Sequence, residues 1–134
     1  RDVAPSRGLG DVYKRQMLDI AKKDILPAAS KFSKELTDTI ANKKAIGIDL
    51  TYELETAKKV SEYLTEAYQA MMTLENDVKK LHEIDDFEKS AFYVRDFIIQ
   101  DMAALRKPCD ELEVITSNRD WPFPTYGKLL FGIQ

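Results

Sequence analysis

Proline is absent between Pro27 and Pro108, and glycine is absent between Gly47 and Gly127. These two residues break helices more effectively than any others, so their absence leaves room for long helices through the middle of the chain. Cysteine occurs once, at Cys109. An internal disulfide is therefore impossible, and a reducing compartment is the simpler expectation. No apolar run approaches the ~20 residues needed to span a bilayer, and the N-terminus lacks the apolar stretch of a secretory signal. Positive charge is not in excess: 20 Lys and Arg against 23 Asp and Glu give a net charge of −3. Nothing in that balance draws the chain to nucleic acid or to a membrane surface. What remains is a chain of 134 residues, 44% hydrophobic and 32% charged, which fits one globular domain.

The strongest signal runs from about Leu50 to about His82. Ala57, Leu64, Met71 and Val78 form one line of apolar positions, and Val60, Ala67, Leu74 and Leu81 form a second. That alternation of three and four is a heptad seam. Glu55, Lys58, Lys59, Glu62, Glu66, Asp77, Lys79 and Lys80 are read as the wet face. A helix with one such seam is not stable alone in water and has to bury it against other helices. Asp49 or Thr51 is the expected cap. Glu55 with Lys59, and Glu75 with Lys79, are spaced as helical ion pairs, which support a helix by a few tenths of a kcal/mol each.

A first helix is expected from about Met17 to Lys44, with Leu18, Ala21, Ile25, Ala28, Phe32, Leu36 and Ile40 on its apolar face. Pro27 predicts a kink there, or the start of a second helix after a short one. Gly47 ends the run, with Ile46 and Ile48 expected to pack the turn. A third helix is expected from Phe87 to about Thr116, with Phe87, Ala91, Val94, Ile98, Met102, Leu105, Cys109 and Leu112 facing inward. Asp85 and Glu88 have the spacing of a capping box. Pro108 should bend this helix or make it restart with Asp110, Glu111 and Glu113 in its first turn. Short turns make consecutive helices antiparallel neighbours. The fold class is thus all-α: an antiparallel bundle of three long helices, the first and third kinked at Pro27 and Pro108. An aromatic tail, Trp121 to Phe131, follows, with a short final helical turn capped by Thr125. So many aromatic side chains in one short span are expected to dock rather than stand in water. Residues 1–16 differ from the rest. Pro5, Gly8 and Gly10 break any helix and no period appears, so this stretch reads as a disordered or non-native leader.

Little in the sequence points to chemistry. There is no phosphate-cradling glycine loop. His82 closes a helix, and the residue three before it is Lys79, a non-ligand. The Glu-x-x-His pair of a di-metal bundle is therefore missing, and His82 reads as a helix C-terminal residue. Cys109 lies on the apolar face with no histidine near it in sequence, and reads as a small core residue. The Asp85-Asp86 and Asp110-Glu111 pairs stand where helices begin, and capping explains them. No catalytic, cofactor-binding or metal-ligating residue is assigned.

Three stretches carry a resemblance. Ala21 to Phe32 (Ala-Lys-Lys-Asp-Ile-Leu-Pro-Ala-Ala-Ser-Lys-Phe) continues into Lys34 to Thr39. Tyr93-Val-Arg-Asp is followed by Met102-Ala-Ala-Leu-Arg and Asp110-Glu-Leu-Glu. Trp121-Pro-Phe-Pro-Thr-Tyr-Gly-Lys-Leu-Leu-Phe131 is the most specific. Over residues 17–134 the chain resembles the C-terminal helical domain of type III glutamine synthetase. The resemblance implies a parent enzyme that ligates ammonia to glutamate through a glutamyl phosphate, with ATP and Mg2+ or Mn2+ as cofactors. It also implies that the residues for this chemistry lie in an upstream catalytic domain outside this chain, so that the chain alone is inactive and holds no cofactor. The implied partners are that catalytic domain and neighbouring subunits of a cytoplasmic homo-oligomer. The alternative expectation is a stand-alone helical module that presents a groove to a partner protein.

Overall fold

A computed structural model of the chain describes residues 14–117 and 119–123. Among the described residues every regular element is helical, and the segments join into three helices. The first, α1, comprises residues 14–20, a π turn over Ala21–Ile25, and Leu26–Ala45. The second, α2, is Thr51–His82. The third, α3, comprises Phe87–Tyr93, a π turn over Val94–Ile98, and Ile99–Ile115. Residues 14–16, assigned to the leader on sequence, are helical, and Lys14 is buried. The tail beyond Phe123 lies outside the described residues.

The seam of α2 is where the core forms. Val60, Ala67, Met71, Leu74 and Leu81 are buried, and Ala57, Leu64 and Val78 are half-buried against them. Helix α2 packs against both α1 and α3, whereas α1 and α3 approach each other much less closely. From α1 the core takes Ala21, Ile25, Ala29 and Leu36; from α3 it takes Ile98, Leu105, Cys109 and Leu112. The ion pairs between α1 and α2 reveal their register. Lys22 meets Glu75 at 3.6 Å, and Lys43 meets Glu53, so residue numbers rise on α1 as they fall on α2.

The prolines are accommodated in two ways. Pro27 falls in the first turn of the α segment that follows the π turn, where a missing N–H is tolerated. Just ahead of it the Leu26 N–H reaches back to the Ala21 carbonyl, a wider turn than the α-helix makes. Pro108 lies inside Ile99–Ile115, and the helix passes through it without restarting at Asp110. The wide turn of α3 comes earlier, where the Ile99 N–H bonds to the Val94 carbonyl.

Helix ends differ from expectation by single residues. Residue Leu50, not Asp49 or Thr51, holds the cap position of α2, although Asp49 Oδ1 accepts bonds from the Thr51 amide (3.3 Å) and hydroxyl (2.8 Å). Those bonds hold the Asp49 carboxyl below its ordinary range, the hydroxyl contributing most. At α3 the cap is Asp86, whose Oδ2 accepts the Lys89 amide at 2.9 Å. The cap is one residue later than Asp85, so position three of the helix is Lys89 and no capping box forms. Gly47 ends α1 with φ of 74°, while the Ile48 and Gly47 amides bond to the Lys43 and Lys44 carbonyls at 3.1 and 3.2 Å. These are the paired bonds of a glycine-terminated helix. Ile46 and Ile48 do not pack the turn; they are 71% and 48% exposed.

Candidate functional site

Near Glu75 and Asp77, helix α2 meets polar groups of both its neighbours, and both π turns pack against α2. On the α1 side Lys22, within the first π turn, meets Glu75. On the α3 side Tyr93, immediately before the second π turn, donates its hydroxyl to Asp77 Oδ1 at 3.1 Å. Asp101 faces the same Asp77. Burial pushes the Asp101 carboxyl up to about 7, with further contributions from a hydrogen bond to Asp77 and from its charge. Asp101 Oδ2 is out of contact with solvent, and no N–H or O–H donor reaches it. Burial beside a like charge favours the neutral form of such an acid. Burial also raises Tyr93, as does its hydrogen bond to Asp77, so it remains a phenol and a donor.

Sequence reading placed Asp77 on the wet face, and the structure corrects this: it is half-buried against α3. Asp101 was not singled out. A signal for it existed, because it stands on the line Val94, Ile98, Asp101, Leu105, where every neighbour at helical spacing is apolar. An acid on such a line has to find a hydrogen-bonding partner.

A second acid pair fastens the chain after α3. The helix ends at Thr116, and a turn closes with the Asp120 and Trp121 amides both bonding to the Ser117 carbonyl at 3.0 Å. The turn carries the chain across to α1. There Arg119 meets Glu35 at 3.5 Å, and Lys31 Nζ meets Asp120 Oδ1 at 3.5 Å. The Asp120 side chain is fully enclosed. The nearness of these two carboxyls raises that of Glu35 and lowers that of Asp120, the Lys31 and Arg119 charges also holding Asp120 down. Trp121, next in the chain, is 8% exposed and edge-on to Phe123, with ring centroids 6.3 Å apart.

The residues weighed on sequence lie apart from both pairs. His82 is exposed at the last position of α2. Cys109 is buried on α3, and burial, aided by the charge of Asp110, pushes its thiol up to about 11. A thiol held that far into the protonated form is a poor nucleophile at neutral pH. Asp110 instead faces Arg106 one turn back at 3.6 Å. Among the described residues no group of three His, Cys, Asp or Glu is arranged to hold a metal ion, and no helix is long and apolar enough to cross a membrane. The contacts of the two acid pairs fasten α3 to α2 and the segment after α3 to α1.

The outer surface has its own character. Phe92, Phe97 and Ile99 of α3 are 46%, 49% and 56% exposed, with the Arg95 guanidinium 4.8 Å from the centre of the Phe92 ring. Tyr93 and Phe97 stack obliquely at 4.7 Å. These are large apolar side chains of α3 left partly in water.

No family model matches the chain. A glutamine synthetase of Butyrivibrio fibrisolvens is 28% identical over 120 residues, covering 88% of this chain and 17% of that protein. A glutamine synthetase of Bacteroides fragilis (strain YCH46) is 24% identical over 126 residues, covering 90% of this chain and 17% of that protein. The chain thus spans 17% of the length of the curated relatives it matches, and its likeness to glutamine synthetases runs through most of its own length.

Proposed function

We propose that the chain is the C-terminal helical domain of a type III glutamine synthetase. In this reading it is an antiparallel three-helix bundle, bent at Pro27 and Pro108, that packs subunits of a cytoplasmic homo-oligomer together. The observation that carries the reading is the match to two glutamine synthetases along most of this chain and a small share of theirs. The opposed register of Lys22 with Glu75 and Lys43 with Glu53 supports the antiparallel arrangement. The exposed Phe92, Phe97 and Ile99 support a role in contact. The parent reaction would be ATP-dependent ligation of ammonia to glutamate with Mg2+ or Mn2+, performed by an upstream catalytic domain. The residues of this chain would fasten helices and meet neighbours.

Two measurements test this. Purified chain supplied with glutamate, ATP, ammonia and Mg2+ should form no glutamine above a blank; formation of glutamine overturns the division of labour. The DNA preceding codon 17 should encode a glutamine synthetase catalytic domain in frame. A start codon at that point favours the alternative, a stand-alone helical interaction module.

A further inference from the structure

The start of α3 is held less firmly than the rest of that helix. Phe87–Tyr93 packs only weakly on α2, whereas the π turn over Val94–Ile98 and the segment Ile99–Ile115 lie against it. Within Phe87–Tyr93, Ser90 is buried, Tyr93 is half-buried and the remaining residues are exposed. Tyr93 ties the segment to α2 through its bond to Asp77 Oδ1. The change in packing thus coincides with the wide turn, and helices bend most readily where such a turn interrupts the regular bonds.

Asp101 lies on the firmly held side of the π turn. Facing it are Asp77 of α2 and Tyr93 of its own helix. Glu75 and its partner Lys22 are on the α1 side, about 200° around α2 from Asp77, and are turned away from this contact. A neutral Asp101 can lie against Asp77 without repulsion; an ionised one cannot. Asp101 Oδ2 is also shut off from solvent without a hydrogen-bond partner, and an enclosed charge so placed needs water. Ile98 and Leu105, which flank Asp101 on α3, are 1% and 0% exposed, so the packing there is tight. The weakly packed segment before the π turn is the part that can give way.

We propose that ionisation of Asp101 releases Phe87–Tyr93 from α2, with the π turn over Val94–Ile98 as the point of bending and the rest of the bundle still packed. Burial keeps Asp101 neutral up to about pH 7, so the change falls in the neutral range. Release lets the carboxyl return toward its ordinary value. It therefore becomes easier with each pH unit from that value up to about 7, and levels off above. This device does not depend on the family reading, and its test involves no enzymatic activity.

Amide hydrogen exchange in the full chain, corrected for the intrinsic effect of pH on exchange, tests the proposal. A segment as short as Phe87–Tyr93 does not hold a helix alone in water, so release exposes its amides. Protection of residues 90–93 should fall by about tenfold or more between about pH 5 and about pH 8, with most of the fall below pH 7. Protection of residues 60–74 on α2 and 105–112 on α3 should stay level. Asp101→Asn should abolish the dependence. Should that variant fail to fold, Asp77→Asn, which removes the facing charge, should reduce it. An equal fall along all three helices overturns the proposal, because the bundle then loosens as a whole. Protection of residues 90–93 that ignores pH overturns it too, as does a dependence that persists in Asp101→Asn or, where that variant is unfolded, is undiminished in Asp77→Asn.

Discussion

The Tyr93 hydroxyl donates to Asp77 Oδ1 at 3.1 Å, joining α3 to α2 beside the acid pair formed by Asp77 and Asp101. Of these groups Asp101 is the buried carboxyl whose proton is held most firmly, its value raised to about 7. Burial is the main cause, because it penalises the charged carboxylate.

The pH dependence of stability should expose that proton. Asp101 is raised from an ordinary 3.8 to about 7 in the folded chain, so folding takes up a proton between those values. For a raised carboxyl the contribution to stability is complete below the ordinary value and is lost as pH rises through about 7. Asp101→Asn keeps the shape and removes the titration. Its urea midpoint should decline less than the parent's across that window and exceed the parent's above it. Parallel profiles for the two proteins would remove the pair from the account.

Core and surface of α2 should respond very differently. Leu74 is fully buried in the seam, and Leu74→Ala should cost about 2–5 kcal/mol through lost contact and a cavity. Glu62 is exposed on the far side, and Glu62→Ala should stay within about 0.5 kcal/mol. Chemical denaturation of both variants checks the contrast; equal midpoints would misplace the seam.

Trp121 is buried within a single chain, so its fluorescence should be blue-shifted and shielded from iodide in a monomeric sample. Trp121→Ala should cost about 3–5 kcal/mol, as large aromatic truncations in cores do. A red, freely quenched emission would place the indole in water and contradict the observed docking.

Gly47 offers a purely conformational test. Its φ is 74°, and nothing lies within 4 Å of where a Cβ would sit. Gly47→Ala therefore clashes with nothing, and its cost is that of the left-handed backbone, about 1–2 kcal/mol. Thermal unfolding should show a modest drop in Tm, with the far-ultraviolet spectrum unchanged.

The helices were legible because burial imposes a period, and the eight seam positions of α2 obey it without exception. Cap positions were harder. Asp85 and Asp86 are chemically equivalent, and only the extended backbone at Asp86 decides which of them caps α3. The acid pair was hidden for another reason. Asp77 lies close to the seam of α2 without belonging to it, and its partner is on another helix, so no local spacing reveals the contact. Ile46 and Ile48 misled in the opposite sense. Apolar residues beside a helix-ending glycine often cover it, but here the α1–α2 connection is short and tied by its own backbone bonds, and both side chains remain outside.

The two π turns bear on how this sequence tolerates changes in length. Deleting one residue from an ordinary helix turns everything on one side by about 100° and pulls a buried face into water. A π turn holds one residue more than the α-helical path requires. Removing an exposed residue such as Lys23 or Arg95 lets the turn tighten into α geometry, with the faces before and after it keeping their alignment. Ala21–Ile25 and Val94–Ile98 are thus the places where α1 and α3 can shorten by one residue without changing which side chains meet α2.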